Sequence, residues 1–110
     1  VEREVRKVIV SDMAIDSLEQ VYIYGIETFA YKAATVFIDE LYERIAELSF
    51  DFLLHPECRF LKTKSRMYHN LIHGNYLVIY RIQEHHIEVL NIIHGSRSVR
   101  AIKSSRKIKL

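Results

Sequence analysis

His94 and Arg97 form a His-x-x-Arg pair where an apolar run gives way to Gly95, and they are the first candidates for chemistry in the chain. An imidazole, with an ordinary pKa of about 6.5, can move a proton near neutral pH, and a guanidinium can grip a phosphate or carboxylate with two parallel hydrogen bonds. Arg100, Lys103, Arg106, Lys107 and Lys109 follow, with no acid anywhere between Gly95 and Leu110. A second cationic set, Arg59, Lys62, Lys64 and Arg66, comes just after the only proline, Pro56, and Arg81 stands in an apolar run. Such groups suit a phosphate, an acidic protein surface or a partner's carboxylates, and they form one patch if the loop folds near the tail.

The other reactive side chains read as structural. No carboxylate is placed beside His94 by the sequence, so its ring is expected to cap or pack at a strand end rather than act as a general base. His69 and His73 share a face of a regular strand but lie about 13 Å apart at ~3.3 Å per residue, too far to share a metal. His85 and His86 are neighbours in a turn and point oppositely. Cys58 beside Arg59 invites a lowered pKa, yet a lone loop cysteine is expected to be incidental. Tyr68, Tyr76 and Tyr80 resemble a base-stacking platform and are expected instead to fill the space under the helical hairpin predicted below. Nothing in these patterns calls for a metal or another cofactor.

Charge is divided along the chain. Residues 1–55 carry 5 Lys/Arg against 11 Asp/Glu, whereas residues 56–110 carry 11 against 3, so a formal net charge of +2 conceals a cationic half. A polyanionic partner is thus suggested by distribution, not by the total. With 110 residues that are 49% hydrophobic, the chain suits a single domain with its own core. One cysteine cannot close an internal disulfide, the apolar runs fall short of the ~18 residues of a membrane span, and VEREVRK is mixed in sign rather than signal-like. The expectation is a cytoplasmic domain over residues 1–110, with an N-terminal extension at 1–6 and a basic tail at 98–110.

The elements that must position these groups follow from periodicity. Lys7 to Val10 is short and β-branched and runs into Ser11, a helix N-cap. Ala14, Ile15, Leu18, Val21, Tyr22 and Ile26 then recur at helical spacing, ending around 25–28. Ala30, Ala34, Phe37, Ile38, Leu41, Ile45 and Leu48 form a second stripe, with Asp39, Glu40, Glu43, Arg44 and Glu47 opposite. The short link predicts an antiparallel helical hairpin with an acidic outer face. Three strands are predicted at 67–72, 76–82 and 87–93, joined by turn-sized separators as an antiparallel meander. The expected fold is therefore two-layer α+β, in the order β-α-α-β-β-β, with the hairpin packed on the sheet. Either face of strand 76–82 is apolar enough to be the core face, and the tail is either a short helix or disordered until bound.

With this order, the helix pattern A-x-x-x-L-x-x-x-Y at Ala14, Leu18 and Tyr22, the strand Y-L-V-I-Y-R at Tyr76 to Arg81, and I-E-V-L-N-I-I-H-G-S-R from Ile87 to Arg97 resemble the RelE/ParE toxin superfamily of bacterial type II toxin-antitoxin systems. The resemblance covers roughly residues 8–100. It implies one of two activities. RelE-like members cut mRNA on the ribosome with dispersed basic and polar groups, including an Arg after the first Tyr of the third sheet strand, an Arg after the last strand, and often a Tyr near the C-terminus. Leu77 stands at the first of these places, Arg97 matches the second, and Lys103 falls near the third. ParE-like members, which share the His94-x-x-Arg97 ending and the helix pattern, act by binding DNA gyrase.

The resemblance therefore implies a ParE-like gyrase-inhibiting toxin neutralised by a cognate antitoxin, with a RelE-like ribosome-dependent endoribonuclease as the alternative and a degenerate antitoxin-binding member as a third. For target or antitoxin binding the expected residues are Arg97, Arg100, Lys103, Arg106, Lys107, Arg59 and Arg81. A ribonuclease would place Arg97, Lys62, Lys64, Arg66 and His94 around the scissile phosphate.

Overall fold

Lys7–Val10 forms strand β1, and Ser11 then turns the chain into a helix. The Ser11 hydroxyl accepts the Ala14 amide at 2.9 Å and donates to the Leu90 carbonyl at 2.6 Å, so one side chain caps helix α1 (Asp12–Phe29) and ties it to the last strand. Helix α2 (Tyr31–Asp51) follows after a single residue, Ala30. The turn holds Ala30 at φ 100° and ψ 158°, a region natural almost only to glycine. Near this turn the helices approach so closely that a Cβ on Gly25 would sit 3.1 Å from that of Ala34.

This computed structural model describes residues 4–97 and 99–110; residues 1–3 of the expected extension and Ser98 at the start of the expected tail lie outside the described residues. Strands β2 (Tyr68–His73), β3 (Tyr76–Ile82) and β4 (His86–His94) form the expected antiparallel meander, with Gly74 at φ 57° in the first turn. β1 joins β4 in parallel, giving a mixed sheet of order β1-β4-β3-β2. The last strand is therefore central, and β1 and β2 are the edges. Among the described residues no helix is long and apolar enough to cross a membrane.

The hairpin packs on one face of this sheet as the periodicity requires. Leu18, Ile38, Leu41, Ile45 and Leu48 meet Leu71, Val78, Tyr80, Ile87, Val89 and Ile92, and each large aliphatic chain so buried contributes about 2 kcal/mol. Ile15 lies at the margin of the α1 stripe, about 100° around the helix from Ala14, and is 50% exposed.

The opposite sheet face is apolar too, and the chain covers it itself. Leu77, Ile79, Leu90 and Ile93 pack against Cys58, Phe60 and Leu61 of the segment before β2 and against Ile102 and Ile108 near the C-terminus. The C-terminal segment is folded as helix α3 (Val99–Ser104) and a 3-10 turn (Ser105–Lys107). Ile102 and Ser105 point inward, and Lys103 between them and Arg106 and Lys107 after them point out.

Candidate functional site

The His94 side chain reaches its position through an irregularity in β4. Ile79 pairs with Asn91 but Tyr80 pairs with Val89, so Leu90 is an extra residue and the strand is bulged. A bulge shifts the alternation by one residue. Val89 faces the hairpin and Leu90 the outer face, and beyond the bulge Ile92 returns to the hairpin side and Ile93 to the outer side. His94 thereby shares the side of Tyr76, whose ring it meets edge-on at 5.2 Å. The Ser11 hydroxyl takes up the carbonyl of the extra residue.

There His94 borders a polar cleft of about 460 Å³ between α1 and the end of β4, lined also by Asp16, Ser17, Asn91, Arg97 and Ser104. Its Nδ1 accepts the Ser96 amide at 3.1 Å and lies 2.7 Å from the Ser96 hydroxyl, so Nε2 carries the proton of the neutral ring. Ser17 donates to the Asn91 side-chain carbonyl at 2.6 Å, fixing the amide across the cleft. The Arg97 backbone closes a turn onto the His94 carbonyl at 2.9 Å, and its side chain is exposed without an ion pair among the described residues. The cleft thus brings together one imidazole, one guanidinium and the Asp16 carboxylate, which the sequence did not place there. Lys62, Lys64 and Arg66 do not line it; they belong to the segment running into β2, at the far edge of the sheet.

The remaining cations divide into free and committed groups. Arg100, Lys103, Arg106 and Lys107 are exposed on the C-terminal segment, and Arg59 is exposed with its guanidinium 5.4 Å from the Phe60 ring centre. Arg66 is 3.6 Å from Glu57 and remains largely in solvent. Arg81 is different. Its side chain is only 12% exposed, bonds Glu88 at 2.6 Å and donates to the Ile108 carbonyl at 3.2 Å, bolting the C-terminal segment to the sheet. Burial works against the charge on Glu88, but bonds from Arg81, Gln83 and His86 outweigh it and hold the carboxyl below the usual range.

Several reactive groups have structural uses. Burial raises the Cys58 thiol, which suits packing and not attack. Tyr80 is fully buried under the hairpin on the same sheet face as Tyr76, donates to the Phe52 carbonyl at 2.6 Å, and has its phenol raised by burial, whereas strand alternation puts Tyr68 in the outer cluster and not under the hairpin. His69 places its ring nitrogens 2.7 Å from the His55 carbonyl and 2.9 Å from that of Arg66, anchoring both ends of the basic loop. His73 is lowered first by burial and then by Arg44, which turns in from the acidic helix to bond the Ile72 carbonyl at 2.8 Å. Among the described residues no three His, Cys, Asp or Glu side chains could hold a metal ion together. Ser17 and Asn91 were not foreseen as site residues; the signal was an amide in the middle of the otherwise apolar run Val89 to Ile93.

A strand, a helical hairpin and a meander whose last strand pairs in parallel with the first define the RelE/ParE class of α+β toxin domains. Within that class, the family model described as ParE toxin of type II toxin-antitoxin system, parDE, matches residues 8–99, and the chain belongs to this family. Among solved structures it is similar to one described as the chromosomal ParDE TA system from P. aeruginosa, with a TM-score of 0.68 and 13% identity over 83% of this chain and 97% of that one. That likeness concerns the fold. Comparison with curated proteins gives no match.

Proposed function

We propose that the protein is the toxin of a type II toxin-antitoxin pair, that it arrests growth by binding DNA gyrase, and that a cognate antitoxin neutralises it. The observation that carries the choice of gyrase over the ribosome is the fate of Leu77. At the place where the RelE-like pattern has an Arg, Leu77 packs into the outer apolar cluster, and the polar cleft holds Arg97 without Lys62, Lys64 or Arg66. A scissile phosphate there would meet one guanidinium, whereas a binding surface needs no converging set.

The antitoxin's place is favoured on the hairpin side. A cleft of about 370 Å³ lined by Tyr24, Phe29, Ala33, Phe37 and Tyr76 opens there, and Tyr24 and Phe29 are 55% and 68% exposed. A helix or extended segment with apolar anchors fits such a groove. Arg97 borders the adjoining cleft, whereas the free cations of residues 59–66 lie on the other side of the sheet, so a segment filling this groove would have to round an edge to neutralise those.

The deciding experiment sets purified protein in a gyrase supercoiling and cleavage assay beside a coupled translation assay. Inhibited supercoiling with translation from a gyrase-independent linear template intact is expected. Halted translation with unaffected gyrase would sink the reading and favour the ribonuclease.

A further inference from the structure

The segments covering the outer sheet face share one apolar cluster and one sign of charge. Residues 58–67 bring Arg59, Lys62, Lys64 and Arg66, and residues 99–110 bring Arg100, Lys103, Arg106, Lys107 and Lys109, with no acid in either stretch. All nine are exposed. On the other side of the sheet, the hairpin at 12–51 carries nine carboxylates against two cations. The separation is not complete, since Asp12 at the start of α1 shares a groove with Lys107 and Lys109. The carboxylates of α2 stand on the other side of the sheet, so a ligand on the outer face meets mainly the positive field.

The outer layer also lacks what a protein partner would need. Most of its apolar side chains are spent on the sheet, leaving Ile72, Val99 and Leu110 scattered among the exposed large hydrophobics of the described residues there, whereas the hairpin exposes Met13, Ile15, Tyr24, Phe29, Tyr31 and Val36. Protein interfaces draw their affinity from a desolvated apolar or aromatic centre. Binding through phosphates needs only charge. Single strands are further disfavoured, because they are held by stacking on exposed aromatic rings, and Tyr68 is buried while Phe60 packs inward.

We propose that this outer layer is a nucleic-acid surface that grips the phosphate backbone of duplex DNA without reading its sequence. It is separate from the groove assigned to the antitoxin, and the toxin uses it without help from another protein. The charge argument stands alone; the choice of DNA over RNA duplex rests on the gyrase reading.

The test is fluorescence anisotropy of a labelled 20-base-pair DNA duplex of arbitrary sequence, titrated with the full chain between 50 and 300 mM salt. Binding is expected, with log affinity falling linearly against log salt at a slope of roughly −4 or steeper. The variant K62Q/K64Q/K103Q/K107Q changes only exposed side chains, and an unchanged urea midpoint checks its fold. It should lower the slope's magnitude by about 1 per lysine and weaken binding at least tenfold at 100 mM. No binding at 50 mM, or an affinity indifferent to salt, overturns the proposal. Tighter binding of a single-stranded 20-mer, of an RNA duplex, or of polyglutamate of matched charge overturns it in favour of that ligand. The gyrase assay separates the readings: gyrase poisoning without duplex binding defeats this inference alone, and duplex binding without an effect on gyrase defeats the gyrase reading alone.

Discussion

Arg81 illustrates how far a single residue can be read in one dimension. In the sequence it is a cation alone in an apolar strand, indistinguishable from a group held out for a partner. The carbonyl that occupies it, at Ile108, lies 27 residues away, and the carboxylate that balances it, Glu88, is across a strand pair. Removing Arg81 leaves a nearly buried carboxylate without its cation. Arg81→Met should therefore lower stability by about 3 kcal/mol in urea unfolding, and Arg81→Met with Glu88→Leu should recover most of it. The sign with pH follows from Glu88 being held low. Its contribution is full above the value of an unfolded glutamate, about 4.3, and is lost as pH falls through the lowered folded value. In Arg81→Met that acid-side loss should flatten; a slope identical to that of the parent protein would count against the pairing. His94 and Arg97 were legible as a pair because they stand close in sequence, whereas the bulge that aims His94 was not, since an extra residue in an apolar run leaves composition unchanged.

Among the elements, the helical hairpin was the most legible, because Ile38, Leu41, Ile45 and Leu48 repeat one face over three turns and nothing competes with that period. The link is where local rule and fold conflict. Ala30 is the only residue between two long helices and adopts a backbone angle that costs a side-chain-bearing residue about 1–3 kcal/mol. Ala30→Gly should relieve the strain at some cost in unfolded-chain entropy, raising stability by about 1 kcal/mol as a higher urea midpoint with unchanged slope. A lower midpoint would show that the angle is not strained in solution. The partner of β1 was not legible, since strand periodicity says which face is buried but not which neighbour is chosen. The C-terminal segment was ambiguous for another reason. Its inward residues, Ile102, Ser105 and Ile108, are too few and too weakly apolar to outweigh the cations between them until the opposing sheet face is known.

At the scale of the molecule, the two charged halves seen in sequence become opposite layers, acidic helices on one side of the sheet and a basic covering on the other. Such a particle is complementary to its own copies, face to back. At ~10 mM salt, where the Debye length is about 30 Å, light scattering should report association that reverses by 150 mM. A monomer's mass at both salts would show the layers to be too mismatched in shape to stack. The position of β4 has a consequence for synthesis. The strand at the centre of the sheet is the last to leave the ribosome, and both edges precede it. Until residues 86–94 emerge, the hairpin's apolar stripe has no complete sheet to cover it and β1 has no neighbour. The polar cleft, the bolted C-terminal segment and the basic layer do not exist before that moment. These surfaces are therefore absent from the nascent chain until residues 86–94 have left the ribosome, and that interval belongs to whatever can bind the hairpin alone.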